Sequence, residues 1–291
     1  MLAKAKILRV LMVVGVAGLA LHAGPVWSGK AATALGADPR ASAAPAPKPA
    51  DAPNARAALE GAADALGMLR PAALGGGRTL RLDVINTMEF SAGGTPFSEY
   101  HAALAYNPPS MRVELTNPNG NPQHAIEVVA GKYAWNESQI GGGLELGKGT
   151  ATSMIMTEKE RLMRLWILPY GVVKAGLAAG DKAKVSTEGG ATVVTFPLIG
   201  ELAGVTVKAT LDAKSFVTKV ETQGPGNLTM EVEYSDYADR GEIPTNVLFP
   251  GHIIRKRDGK TVVDLTVKTA DCNNPYVVVP VPDSIRKASS N

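Results

Sequence analysis

Residues 79–90 set Leu80, Leu82, Val84, Met88 and Phe90 against Thr79, Arg81, Asp83, Thr87 and Glu89, with Asn86 the one exception on the apolar side. A period of two sends successive side chains to opposite faces of an extended chain, so this stretch reads as a strand with one dry face. The same alternation returns in about a dozen segments, among them 97–106, 111–116, 124–130, 132–136, 184–188, 192–198, 205–211, 216–221, 252–257 and 261–269. Turn formers separate them: Asn107-Pro108-Pro109, the run from Asn117 to Pro122, Gly189-Gly190, Asp212-Ala213-Lys214, Gly224-Pro225-Gly226 and Asp258-Gly259. Ala92-Gly93-Gly94-Thr95-Pro96 is read in the same way, as a tight connection after the first long strand. With almost no helix between neighbours, the expected fold is α+β, built on a single largely antiparallel meander.

Residues 227–250 read as a β-hairpin. Leu228, Met230, Val232 and Tyr234 alternate with Thr229, Glu231 and Glu233, a turn follows through Asp236, Asp239, Arg240 and Gly241, and Val247 and Phe249 continue the apolar face on the way back. Two helical stretches interrupt the pattern. Asn54 is placed to cap a helix running to about Arg70, with Leu59, Ala62, Ala63, Leu66 and Leu69 on one stripe and Pro71 ending it. After a loop marked by Gly141, Gly142, Gly143, Gly147 and Gly149, Ser153 or Thr157 can cap a second helix. That helix turns apolar nearly all round at Leu162, Met163, Leu165, Trp166, Ile167 and Leu168, stops or kinks at Pro169, and leads to a short third helix through Leu177.

The N-terminus is expected to be removed. Lys4, Lys6 and Arg9 precede an uncharged run from Val10 to Leu21 and small residues at Ala23-Gly24 and Ser28-Gly29, the layout of a secretory signal peptide over 1–28; a retained signal anchor is the alternative. The cleavage takes three positive and no negative charges from a formal net charge of +3, so the mature chain is close to neutral. A nucleic-acid partner, which needs a basic surface, is not expected. Residues 29–55 are Ala- and Pro-rich and read as a disordered linker, leaving 56–288 as one folded domain. Cys272 is the only cysteine, so neither an internal disulfide nor lipidation of the mature N-terminus is expected, and a soluble exported protein is the expectation.

No enzyme signature emerges. His101, His124 and His252 are isolated, HExxH, CxxC and GxSxG are absent, Cys272 has no visible base, and the glycine run at 141–143 lacks the Lys-Ser/Thr of a phosphate loop. No catalytic residue, metal or cofactor is expected. The soft apolar material is what remains: Met154, Met156 and Met163 cluster with Trp166, and such polarizable side chains adapt to ligands of variable shape. The same residues equally suit a plug that fills an ordinary β core. A hydrocarbon site leaves no polar motif, because each buried methylene contributes about 0.8 kcal/mol without a hydrogen bond.

The block Tyr234, Asp236-Tyr237, Gly241 and Ile243-Pro244, together with the helix before the meander and the helical insertion midway, resembles the periplasmic lipoprotein-carrier (LolA-like) superfamily, of outer-membrane lipoprotein-sorting type. The resemblance implies a half-open β-barrel with a helical lid. It implies a binding protein or carrier for lipoprotein acyl chains or another lipid, monomeric, with Met154, Met156, Leu162, Met163, Leu165 and Trp166 of the lid and Leu82, Val84, Met88, Met230 and Val232 of the sheet facing the ligand. Lipid or a lipidated protein is the implied partner. The alternative within the same superfamily is an envelope-stress or assembly module that binds an envelope membrane protein.

Overall fold

The computed structural model describes residues 54–71, 78–80 and 85–288. The expected signal peptide, most of the expected linker, and Leu82 and Val84 of the expected ligand set lie outside those residues.

Asn54 caps α1 (Ala55–Ala65), its side-chain oxygen accepting from the Ala57 N–H at 2.7 Å. The helix does not run on to Arg70. Gly67, at φ +78°, ends it in a left-handed turn, with the Met68 N–H donating to Ala63 O and the Gly67 N–H to Asp64 O. Leu69 and Pro71 instead belong to β1 (Leu69–Pro71), paired with β2 (Arg78–Leu80).

The chain then enters β3 (Thr87–Thr95), β4 (Glu99–Tyr106), β5 (Pro109–Thr116), β6 (His124–Ala130), β7 (Tyr133–Glu137) and β8 (Ala151–Ser153). It continues through α2 (Glu158–Trp166) and α3 (Pro169–Ala178) to β9 (Lys184–Glu188), β10 (Ala191–Pro197), β11 (Thr206–Leu211), β12 (Val217–Gln223) and β13 (Met230–Ser235). The last elements are β14 (Ala238–Asp239), β15 (Leu248–Phe249), β16 (His252–Arg257), β17 (Lys260–Cys272) and α4 (Asp283–Ala288).

Thirteen of these strands make one antiparallel sheet in the order β8-β7-β6-β5-β4-β3-β17-β16-β13-β12-β11-β10-β9. The chain starts mid-sheet at β3, builds one wing outward to β8, crosses over through α2 and α3 to the far edge at β9, and meanders back until β17 closes against β3. β8 and β9 are left as edges, so the barrel is not closed.

The helices show that the sheet curls. β6 and β11 stand eight places apart in that order, roughly 40 Å on a flat sheet at about 4.8 Å per strand. Yet α2, about 14 Å long, touches β5, β6 and β7 on one wing and the turns at Gly200–Leu202 and Gly226–Leu228 on the other. Only a sheet bent around the helix brings both wings within its reach. The inward side chains of both wings, including Met88, Phe90, Leu104, Val113, Phe196, Val207, Val220, Met230 and Val232, join the buried faces of α1, α2 and α3 in one core. On the outer side of β6 and β7, Ile126, Val128 and Trp135 pack with Ile285 of α4 in a second, smaller core.

Two further local readings differ from the sequence expectation. β3 runs straight through Gly93 and Gly94, which pair with Thr266 and Leu265. A Cβ on Gly94 would stand 1.9 Å from the Asp264 carbonyl, so glycine serves the close approach of β17 rather than a turn.

The expected hairpin over 227–250 is also replaced. β13 pairs with β12 and β16, and residues 236–251 leave the sheet as an excursion in which β14 and β15 form a short ladder of their own. Val247 and Phe249 are buried as expected, but against the end of α1 and under α3, where the Leu248 N–H donates to Leu66 O. Asp236 and Asn246 take left-handed φ of 59° and 58° at the corners of the excursion.

The Asp239 carboxylate holds this segment by accepting from the Gly241, Thr245 and Asn246 N–H groups. Desolvation opposes its ionisation, but these three hydrogen bonds outweigh it and hold the carboxyl below its ordinary value. The stabilisation is therefore present at and above the usual carboxylate range and is lost as pH falls below it. Amide exchange is expected to show Thr245 and Asn246 protected at neutral pH and released in acid, and Asp239→Ala is expected to release them at every pH. Protection unchanged by acid would contradict this role.

Candidate functional site

The helical crossover stands over the concave face of the sheet. Glu158 and Glu160 sit in the first turn of α2 and Arg164 in the last, each favourable to the helix dipole. Pro169 opens α3 at its first turn, where its missing N–H costs nothing. α2 is not apolar all round as its C-terminal residues suggest. Its inward face carries arginine stems whose heads reach polar groups of the sheet.

Arg161, 2% exposed, donates to the carbonyls of Val128 at 3.0 Å and Trp135 at 2.6 Å and to Asn136 Oδ1 at 2.6 Å. Arg164 donates to Glu127 at 2.5 Å and Glu160 at 3.1 Å. Burial opposes the Arg164 charge, but Glu127, Tyr100 and Glu160 outweigh it and hold the guanidinium firmly protonated. Across the opening, Glu160 lies 3.6 Å from Arg257 at the end of β16. α2 is thus tied to β6 and β7 on one side and to β16 on the other.

α3 is the apolar member of the pair, with Tyr170, Val172 and Val173 fully buried. Two tyrosines fasten the helical crossover. Tyr234, on β13, donates to the Ile167 carbonyl at 2.8 Å, in the junction between the helices, and Tyr170 donates to the Leu248 carbonyl at 2.5 Å. Burial pushes both hydroxyls well above their ordinary range, so they remain donors throughout the working pH range. The Tyr170 ring stacks on Phe249 at 6.0 Å, and Phe249 meets Phe90 at 5.1 Å.

Among the described residues, three spaces border this crossover, one of them a cavity of about 420 Å³ between the start of α1 and the end of α3, by Leu59, Gly176 and Leu177. Directly beneath it, among Phe90, Tyr100, Arg164, Val232, Tyr234 and Arg255, the cavity is about 50 Å³. Sites for small ligands run to roughly 300–1,000 Å³, so the core here is filled in this conformation. Beside the helices, Leu162, Trp166, Ala175, Leu198, Ile199 and Leu202 line an apolar cleft of about 250 Å³. Pro109 and Gly131 border this cleft and also an open groove of about 840 Å³, where Ala105, Pro108 and Tyr133 face Val277 and Val279 of the segment before α4.

The residues expected to face a ligand are therefore divided. Leu162 and Trp166 line the cleft, while Met163, Leu165, Met88 and Met230 are buried in the core and Val232 borders the small cavity. Met154 is half-buried at the entry to the helices, and Met156 is 95% exposed. Tyr170, Arg161, Arg164, Arg255 and Ile199 were not singled out from the sequence as site residues, and Tyr234 was read there on the apolar face of the expected hairpin but not as a tie to the helices. A tyrosine at an inward position of an alternating strand, as at Tyr234, and arginines within an otherwise apolar helix were the available signals.

Among the described residues no helix is long and apolar enough to cross a membrane. No protein-family model matches the chain, and no curated protein matches it. Among solved structures, the lipoprotein LppX of Mycobacterium tuberculosis aligns over 59% of this chain and 88% of that chain, at 9% identity and a TM-score of 0.22. A likeness that slight carries no argument about function.

Proposed function

We propose that this protein binds the hydrocarbon tail of a lipid or lipidated protein and carries it in the periplasm, with α2 and α3 as a displaceable lid. The observation that carries the reading is the apolar cleft beside the lid, lined by Leu162, Trp166, Leu198, Ile199 and Leu202 and continuous at Pro109 and Gly131 with the larger open groove. At about 30 Å³ per methylene-sized group, 250 Å³ holds on the order of eight methylenes. Their burial contributes roughly 6 kcal/mol, before the costs of association are subtracted. That is a mouth rather than a carrier's full site.

Tighter binding requires the lid to lift and hand the tail to Met163 and Leu165 of its own inner face and to Met88, Met230 and Val232 of the sheet beneath it. The polar ties of α2 suit such a movement, because hydrogen bonds to backbone carbonyls can be exchanged for water, while the buried apolar face of α3 resists it. Purification from the native periplasm followed by extraction with organic solvent is expected to yield a bound lipid. An empty extract, together with no uptake of a fluorescent fatty acid, would contradict the reading.

The exposed side chains of Ile155, Met156 and Ile199 favour a second reading. Here the same fold serves as an assembly module that docks on an envelope membrane protein. It predicts a photocrosslink from position 156 to such a protein and no extractable lipid.

A further inference from the structure

The small cavity under the lid is apolar on most sides, yet two arginines border it. Arg164 and Arg255 line it together with Tyr100, and beyond them the walls are Phe90, Ile167 and Leu265. Arg255 projects from β16 among inward-facing apolar neighbours, Ile253 of its own strand and Val263 of β17. Among the described residues its guanidinium makes no hydrogen bond or ion pair. The Nε of Arg164 is also buried without a hydrogen-bond partner.

The two arginines that line the cavity are held differently. Arg164 is answered by Glu127 and Glu160, whereas Arg255 feels Glu160 only at a distance and has no direct counter-charge. Desolvation and the neighbouring Arg164 both disfavour the charge on Arg255. Arg255 is half-buried, and its guanidinium, engaged by no fixed partner among the described residues, is free to donate to an anion that enters the cavity. Planar guanidinium groups are also the side chains best matched to carboxylate and phosphate oxygens.

We infer that the cavity bounded by Tyr100, Arg164 and Arg255 receives the acidic head of an amphiphile, a carboxylate or a phosphate monoester on an alkyl chain. This inference rests on the reading that the protein binds hydrocarbon-tailed molecules, and it adds the charge of the ligand. A space of about 50 Å³ admits a small oxyanion and excludes a tail. The apolar walls meet the first methylenes, and the rest of the chain follows as the lid lifts.

The test compares dodecanoate, dodecyl phosphate and neutral dodecanol by calorimetric titration on the purified full-length exported chain. At least one acid is expected to bind about tenfold more tightly than dodecanol or better, the range of a charge-assisted hydrogen bond; which acid leads identifies the source of the head group. Arg255→Met is expected to reduce that preference to less than about threefold, chiefly by weakening the acid. Arg255→Lys is expected to retain part of the preference. Equal affinity for acid and alcohol, or a preference that survives Arg255→Met, would overturn the head-group site and leave the carrier reading intact. Failure of all three probes to bind would overturn both.

Discussion

Replacing Arg161 with alanine is expected to lower the free energy of unfolding by about 3–5 kcal/mol, the cost of breaking a buried charged network by removing one member. Arg161 is 2% exposed and fills three acceptors at once, the Val128 and Trp135 carbonyls and Asn136 Oδ1, with Glu127 at 3.9 Å. Truncation removes three hydrogen bonds to β6 and β7 and opens a void where the stem lay. Arg161→Lys is expected to recover little, since an ammonium on a flexible stem cannot reproduce a fork that spans two strands. Equilibrium denaturation in urea reads the loss as a lower midpoint with an unchanged slope. A change below about 1 kcal/mol would mean that α2 is held by its apolar contacts alone.

The double substitution Tyr170→Phe with Tyr234→Phe is expected to cost about 2–3 kcal/mol of stability and, at the same time, to accelerate hydrocarbon uptake by about tenfold or more. Each hydroxyl donates to a backbone carbonyl, of Leu248 and of Ile167, and each removal leaves that carbonyl under-satisfied at about 1–1.5 kcal/mol. The rings stay, so the stacking of Tyr170 on Phe249 is preserved and the core loses no volume. What changes is the closed state of the lid, which loses two bonds that an opened lid makes with water. A closed-to-open equilibrium shifted by about 1.4 kcal/mol is a tenfold change in open population. Stopped-flow binding of a fluorescent fatty acid separates the outcomes. Slower uptake, or uptake unchanged while stability falls, would mean that these tyrosines hold the core and not a gate.

Much of the sheet was legible because its rule is local. Wherever one face of a strand is wet, alternation marks it, and the segments from 97 to 257 are recovered within a residue or two as β4 to β7, β9 to β12 and β16. β13 begins and β17 ends three residues later than expected, and the short edge strand β8, where Ser153 reads as a helix cap, was not anticipated. Glycines at 93 and 94 misled because a turn and a close strand contact ask for the same missing Cβ. The excursion over 236–251 misled because its buried Val247 and Phe249 have the spacing of a returning strand. Only their partners, the end of α1 and the underside of α3, show otherwise, and those contacts are far away in sequence.

The candidate site was less legible. The apolar residues of α2 were visible, but whether a helix shields a hollow or fills it depends on packing across wings that no local pattern encodes. Here the space directly below is nearly filled, and the accessible apolar surface lies beside the helix at Trp166 and Ile199. Arg161, Arg164 and Arg255 carried no spacing that marks a motif. Arg161 and Arg164 stand on α2 itself and Arg255 on β16, and their roles depend on the fold bringing that helix against strands distant in sequence.

The most direct measurement of the central claim is quenching of tryptophan fluorescence by dodecanoic acids brominated at successive positions, with Trp166→Phe as the control. Trp166 borders the cleft, whereas Trp135 is fully buried in the separate core under α4. The expected result is saturable, position-dependent quenching that disappears in Trp166→Phe, placing the tail against the lid. Saturable binding without quenching, or quenching that persists in the control, would place the hydrocarbon elsewhere and contradict the lid-and-cleft account.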